Sequence, residues 1–498
     1  MFLPYFLLVL FIGVVITFFA RSYAKYFSMV FLGIMSVAFV IYSFIRFNNY
    51  LGNIIAKYNY VLANYTSSGI HIELNFSLGL TGFTDLLVIM ALIVTIFALS
   101  IGERENNDTF FGLLMSVGFG LVGLFSVRNF LFFYIFWEVV LIPMFFIIAK
   151  YGTINKEKIS IKFFIYTHVG SLFLLLSIFM LSTYYFIEFK VFTFQISDLM
   201  NLAFQKSLPK FALYFSFFGF LLAFLIKLPT FPLHEWLPNA HYTAPFSGSI
   251  LLSGGLLSMG GYGLLGILYP VTPLFPKSLV YFLIILGLIS VVYFAFTSMF
   301  QTNLKRMIAY SSAGEMAFVT ISFGTSIIST GYVKTFDLAG GMYQTIAHAF
   351  VTSLAFASLL FIYKRTHTIQ VYGLGGLYRQ MPYASTFFLA ALLGSLGLPA
   401  LAGFIGEFSV TVSSFETIGL FAIIIIFGLI VTAAYFIWAA QRSLYGFYNE
   451  KLGPLKDLTK PEFLILLFML VSSIFFGVYP TLMFKLLASY AKALSVVF

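Results

Sequence analysis

Five ionisable side chains lie inside long apolar runs of this chain, and their types are suited to moving protons. Glu138 sits within LFFYIFWEVVLIPMFFIIA, several residues from either end, and Lys227 follows FLLAFLI and precedes Leu228-Pro229-Thr230-Phe231-Pro232. Glu407 stands in LPALAGFIGEFSVTVSSF, while Glu315 and His348 occupy the stretches near 307–328 and 338–363. A charge at the centre of a bilayer costs from about 2.5 to well over 10 kcal/mol depending on the measurement, so each such group needs a reason to be there. Burial disfavours the charged form of all of them, whereas pairing Glu138 with Lys227 favours it. A pair that opens and closes therefore takes up and releases protons, against a potential that opposes each by about 2.3 kcal/mol per 100 mV. Taken singly, each group also fits a structural ion pair. His348 suits a proton hand-over between Lys227 and Glu407, and equally a neutral, hydrogen-bonded core position. His234 and His241, flanking HEWLPNAHYTAP at a helix boundary, read as interfacial; Asp337 and Lys334 lie near a span start and are expected to reach water.

The elements that hold these residues follow from composition. Of 498 residues, 61% are hydrophobic and 9% charged, against roughly 25% charged in a soluble domain. That excludes a water-soluble globular enzyme. Apolar runs of about 18 or more residues mark bilayer-spanning helices. They recur near 2–20, 27–45, 80–102, 109–127, 130–149, 162–187, 210–228, 243–268, 278–300, 307–328, 338–363, 384–410, 418–441 and 461–484. The expectation is an all-α polytopic membrane protein of about fourteen transmembrane helices, the first of them an uncleaved span. With no cysteine in the chain, disulfides, thiolate-bound zinc, iron–sulfur clusters and covalent haem attachment through it are excluded. The net charge of +10 lies in loops beside the membrane, where anionic lipid and insertion topology account for it, and no nucleic-acid role is read from it. Loops after odd-numbered spans hold about sixteen Lys and Arg and the other face about ten, which puts those loops in the cytoplasm and both termini on the outer side. Lys227 is left as the one basic side chain inside the hydrocarbon.

Prolines predict where two helices break. Pro229 and Pro232 cannot donate to the carbonyls of Leu225 and Leu228, and Pro399, between Gly397 and Gly403, likewise frees the carbonyl of Ser395. Non-helical backbone at that depth is tolerated only where protein or water covers it, so hydrated cavities are expected beside Lys227 and Glu407. Paired broken helices point to an inverted repeat with ion sites at its interface. The predicted arrangement is two inverted five-helix repeats, spans 4–8 and 9–13, with helices 7 and 12 broken. This divides the chain into 1–108, three N-terminal helices; 109–268, the first repeat; 269–441, the second; and 442–498, a loop and the last helix. In the connector 188–209, Ser197-Asp198 is expected to cap a short amphipathic interfacial helix. The most charged stretch, 442–462, reads as a cytoplasmic loop, either solvated or touching a partner or headgroups.

The segments FYIFWEVVLIPMFFI, FLIKLPTFPLHEWLPNAHYTAPFSGSILLSGGLL, NLKRMIAYSSAGEMAF, TIAHAF and GLPALAGFIGEF resemble, in order, the motifs of the antiporter-like (Mrp-related) subunits of respiratory complex I, NADH-quinone oxidoreductase. Within that family the likeness is to the M type, chain 4 of the mitochondrial complex, over roughly residues 75–480. The resemblance implies fourteen helices with two inverted repeats, and a proton-translocating membrane-arm subunit with no cofactor of its own. Its partners would be L-, N- and K-type subunits and a peripheral redox arm, with lipid around it. By motif, Glu138 matches the family's fifth-helix glutamate and Lys227 the lysine beside broken helix 7. His348 matches the eleventh-helix histidine and Glu407 the outlet acid of broken helix 12. Two positions depart. Ser258 stands where the eighth-helix motif has its central lysine, and Glu315 where the tenth helix often has histidine. Serine orders water but holds no proton charge at neutral pH, which puts the standard central relay in question. On the same scaffold, the alternatives are an Na⁺/H⁺ antiporter subunit or a hydrogenase membrane arm, and a structural spacer that has lost transport.

Overall fold

The computed structural model describes residues 2–46, 55–67, 70–102, 107–204 and 208–496. Helices α1 (Phe2–Phe19) and α2 (Ala24–Arg46) lead into a hairpin of β1 (Ile55–Ser67) and β2 (Ile70–Leu80). Next come α3 (Gly82–Ser100), α4 (Asp108–Ser126), α5 (Phe130–Tyr151) and α6 (Lys156–Phe189), then β3 (Val191–Phe192) and the short α7 (Ile196–Phe204). The first interrupted helix is α8 (Lys210–Lys227) with α9 (Trp236–Thr243). The next span is built from α10 (Phe246–Leu251) and α11 (Leu257–Tyr262), each followed by a π-helical turn, at Leu252–Leu256 and Gly263–Leu268. Beyond it run α12 (Lys277–Met299), α13 (Leu304–Ile328) and α14 (Gly331–Thr366). The second interrupted helix is α15 (Pro382–Ser395) with α16 (Ala402–Ile418), before α17 (Ile423–Ser443), α18 (Lys460–Val478) and α19 (Pro480–Val496).

Among the described residues, twelve helical stretches are long and apolar enough to cross a membrane, with α16 and α17 counted as one, Ala402–Ser443. The Ser- and Thr-rich α13 and the 14-residue α15 are not among the twelve. Burial sorts the helices into an inside and an outside. The most apolar window of α14 is wholly buried, and that of the α10–α11 span nearly so, whereas α2, α17 and α18 turn most of their side chains outward. Polar residues follow the inside: Ser and Thr concentrate on α13 and α14, where packed helices rather than lipid meet them. Small residues let backbones close up, as at Gly260, where a methyl would stand 2.6 Å from the Leu228 nitrogen.

Three expectations change. The helical class holds, with a small sheet added to it: β1 pairs antiparallel with β2, Asn59 opposite Ser77, and β3 adds in parallel to β2. A hydropathy window averages away the period-two pattern of that stretch, so the strands were not foreseen. The hairpin is fastened to the α4–α5 turn: Arg128 Nε donates to the Gly79 carbonyl (3.1 Å) and Asn129 Nδ2 to that of Asn75 (2.9 Å). Secondly, the expected last span ends at Val478, and Pro480 starts the further helix α19, which packs on α14 and α3. Thirdly, α7 forms in the expected connector, but Ser197 and Asp198 lie inside its first turn, after Gln195; residues 205–207 lie outside the described residues.

The charged stretch 442–462 is stapled rather than simply solvated. Arg365, at the end of α14, donates to both Glu462 oxygens (2.5 and 3.3 Å) and to the carbonyls of Lys456 and Asp457. The Asp457 carboxylate accepts from the amides of Tyr383 and Ala384, capping α15 (2.7 and 3.1 Å). Arg365→Ala removes one partner of a largely buried ion pair and is expected to destabilise the chain by about 2–4 kcal/mol. Arg365→Lys should recover only part, since an ammonium cannot make the two-pronged contact. Thermal inactivation of the solubilised protein measures both.

Candidate functional site

Lys227 closes α8 and is 1% exposed. Its ammonium lies 5.5 Å from the centroid of the Trp137 ring and has no hydrogen-bond partner among the described residues. It does not snorkel to a headgroup. Two features of the surroundings favour a cation there: the face of the indole and the negative end of the α8 dipole. A third is Glu138, which follows Trp137 on α5 and acts on Lys227 electrostatically. The expected direct Glu138–Lys227 contact is absent among the described residues. Glu138 points instead toward α6, its Oε2 3.5 Å from His168 Nδ1, while Oε1 has no partner. That separation is too long for a good hydrogen bond but short enough for the two groups to feel each other's charge.

The break after Lys227 is satisfied by named partners. Leu225, deprived of a donor by Pro229, accepts from the Thr230 amide at 3.1 Å. The Ile226 carbonyl accepts from the Trp236 indole at 2.8 Å. Phe231 N donates to Ser290 Oγ (3.1 Å), and the Thr230 and Thr320 hydroxyls lie 3.2 Å apart. The interruption is thus held open by side chains from α9, α12 and α13, as buried non-helical backbone requires.

Between the two breaks runs a buried polar interior. Ser258 is 1% exposed, and its hydroxyl turns back to the Gly255 carbonyl (2.6 Å), at the end of the first π-helical turn. Thr352 on α14 reaches Ser253 across the helix interface at 3.1 Å. His241 is fully buried, stacked on Phe356 at 5.0 Å with neither ring nitrogen partnered among the described residues; the interfacial reading is overturned. Its electrostatic neighbours are Lys305 and His348. Lys305 is only 3% exposed, so Lys227 is not the one buried base; its ammonium donates to the Ala244 carbonyl (2.5 Å) over the Phe246 ring. His234 too is buried, at 8% exposure, edge-on to Phe294.

At the far end, His348 Nδ1 lies 2.8 Å from Glu315 Oε2, with both residues buried. Ser311 donates to the other Glu315 oxygen at 3.2 Å. His348 Nε2 has no partner among the described residues. Glu315 and Glu407 act on each other electrostatically and share a small cavity of about 10 Å³ with Ser311, Ser395, Thr432 and Tyr435. That is the room one water needs. Gly397, in the α15–α16 break, has φ +78° and a methyl there would collide with Glu407 Oε2. Only glycine meets both demands.

The structure therefore gathers Glu315, His348 and Glu407 at one end and Lys227 and Glu138 at the other, with Ser258 on the span between. His168, Lys305 and Asp337 were missed as buried or paired ionisable groups. His168 was discoverable by the rule that found Glu138, since it sits in the apolar run FFIYTHVGSLF. Lys305 and Asp337 lie within a turn or two of helix ends, where charge is ordinarily solvated. Asp337 is 0% exposed, against the expectation that it reaches water, and Lys334 is half-buried.

Residues 127–432 match the profile of the NADH:quinone oxidoreductase/Mrp antiporter transmembrane family. The chain is 36% identical over 425 residues to F(420)H(2) dehydrogenase subunit M of Methanosarcina mazei, covering 84% of each chain. It is 32% identical over 415 residues to NADH-quinone oxidoreductase subunit M of Rickettsia conorii, covering 82% of this chain and 81% of that one. Its fold superposes on a chain of respiratory complex I from Thermus thermophilus with bound NADH, with a TM-score of 0.84 and 24% identity over 99% of both chains.

Trp236→Phe keeps the packing but strands the Ile226 carbonyl, and is expected to lower stability by about 1–3 kcal/mol in a thermal melt. Gly397→Ala adds a strained φ and a clash with the Glu407 carboxylate, so a loss above about 1 kcal/mol is expected from the same measurement.

Proposed function

The chain belongs to the NADH:quinone oxidoreductase/Mrp antiporter family, as an antiporter-like membrane subunit, and from that premise we propose that it moves protons across the membrane through its buried Glu, Lys and His groups. The redox work that drives it is done in partner subunits: L-, N- and K-type membrane neighbours and a peripheral arm. The chain itself binds no redox cofactor, consistent with its lack of cysteine. In this reading spans 4–8 and 9–13 are inverted repeats, each broken beside its ionisable group. The termini face outward, so protons are drawn from the cytoplasm near Glu138 and Lys227. They cross the polar interior around Ser258, Glu315 and His348 and leave past Glu407.

The observation that carries the proposal is Lys227: an ammonium sealed in the bundle, with no hydrogen-bond partner among the described residues, near a tryptophan ring and within the field of Glu138. A purely structural lysine would be paired, because an unpaired buried charge is strongly destabilising. A group that exchanges its proton gains from being held where hydration decides its charge. With serine at 258 instead of lysine, the buried pair Glu315–His348 supplies the titratable group of the relay between Lys227 and Glu407.

Lys227→Ala and Glu138→Gln, each in the assembled complex in sealed inverted vesicles, are expected to lower donor-driven proton uptake at least tenfold while leaving assembly intact. Uptake at the unmodified level in both variants overturns the roles given to these residues. Uptake that persists undiminished in sodium-free potassium buffer separates proton translocation from Na⁺/H⁺ exchange. Glu407→Gln tests the spacer alternative, since a spacer does not respond to it.

A further inference from the structure

Asp337 is a buried carboxylate that the relay just described leaves unused. It lies in the second turn of α14 with 0% exposure. Its Oδ1 has no partner among the described residues, and its Oδ2 lies 2.6 Å from Thr325 Oγ1 on α13. No ion pair satisfies it among the described residues; the ionisable groups around it are the half-buried Lys334 one turn earlier and the Tyr269 phenol, which donates to Ser326. A native chain seldom keeps a buried, half-satisfied carboxyl without a use for it.

Its position extends the relay. Asp337 and His348 are eleven residues apart on one helix, which is about three turns, so they share a face at a separation of roughly 16 Å. The neighbouring helix α13 runs alongside over the same stretch, from Glu315, which meets His348, to Ser322, which donates to the Asp337 carbonyl at 2.8 Å, and Thr325, ten residues beyond Glu315. Between the two ends stands Gln344, fully buried with neither amide atom partnered among the described residues. A methyl on Gly406, the residue before Glu407, would collide with the Gln344 side chain. The unpartnered Gln344 amide thus joins the neighbourhood of Glu407 to the face that carries Asp337.

The local chemistry suits a group that alternates between two protonation states. Thr325 Oγ1 is within reach of both Asp337 Oδ2 (2.6 Å) and the Ile321 carbonyl (2.8 Å). A hydroxyl has one hydrogen and can also accept. When Asp337 is ionised, the hydroxyl donates to it. When Asp337 carries a proton, that proton is donated to Thr325 Oγ1 and the hydroxyl turns to the Ile321 carbonyl. Neither state needs a heavy atom to move.

We propose that Asp337 is the terminal proton-holding residue on the outlet side: protons leaving the Glu315–His348–Glu407 cluster pass a water ordered by Gln344 and load Asp337 before release at the face bearing the α13–α14 turn. The inference rests on the proton-translocating reading above. The proton is bound and released without any covalent or redox step at Asp337.

The test uses the assembled complex in inverted vesicles with Asp337→Asn, Asp337→Glu, Thr325→Val and Glu407→Gln side by side. Asp337→Asn is near-isosteric and is expected to cut donor-driven proton uptake several-fold without loss of assembly, with Asp337→Glu recovering most of it. Thr325→Val should also lower uptake. An infrared difference spectrum of the complex between resting and turning-over states should contain a carboxylic C=O band that shifts in D2O and vanishes in Asp337→Asn; a merely structural aspartate produces no such band. Unchanged uptake and an unchanged spectrum in Asp337→Asn overturn the inference even where Glu407→Gln abolishes uptake and the wider reading stands. If Glu407→Gln and Lys227→Ala are also silent, it is the wider reading that fails. Should Asp337→Asn not assemble, the wild-type spectrum decides: the band's assignment by Asp337→Glu, which moves it, supports the inference, and its absence overturns it.

Discussion

Hydrocarbon offers a polar group nothing, and that constraint organises this molecule around Lys227. Its ammonium stands at the end of an interrupted helix with a ring face, a helix terminus and the field of a carboxylate in place of hydrogen bonds. Everything close to it compensates for the opening. The indole of Trp236 takes the Ile226 carbonyl, Thr230 reaches back to Leu225, and Ser290 receives the Phe231 amide. A regular helix would need none of these partners.

The second interruption meets the same constraint in a different way. Gly397 turns with a positive φ so that the Glu407 carboxylate can lie against its backbone. Around that carboxylate the charge is negative rather than positive, with Glu315 close enough to be felt and His348 bonded to Glu315. One end of the interior is therefore built on a cation near an acid, the other on two neighbouring acids, one of which is bonded to a histidine. A proton passed between such ends changes the charge on each, which is the property a translocating subunit exploits.

The placement of helices explains why these groups survive in a membrane at all. α14 and the α10–α11 span are enclosed by their neighbours, and their Ser, Thr and Gly residues give close contacts and local hydroxyl bonds instead of lipid-facing bulk. The outer helices carry the apolar surface. Two fastenings tie connectors to this arrangement, the hairpin joined to the α4–α5 turn through its backbone carbonyls and the Arg365 staple tying α14 to the 442–462 segment by charge.

What the sequence determined by itself is the class, the helix positions and the two breaks, because each rests on local physics. Apolar length sets a span, a missing proline N–H frees a carbonyl, and a glutamate or lysine in a twenty-residue apolar run has no nearby water. Glu138, Lys227, Glu315, His348 and Glu407 were legible for that reason, and the family motifs added Ser258. Burial near helix ends was not legible: His234 and His241 read as interfacial and Asp337 as reaching water because distance along the chain from a loop says nothing about what packs over it. Nor were partners. That Glu138 faces His168 rather than Lys227, that Gln344 touches the helix of Glu407, and that a β-hairpin precedes α3 are settled only when helices far apart in sequence are brought side by side. The physical reason is that a charge's state depends on everything within a few ångströms of it, and most of those neighbours come from elsewhere in the chain.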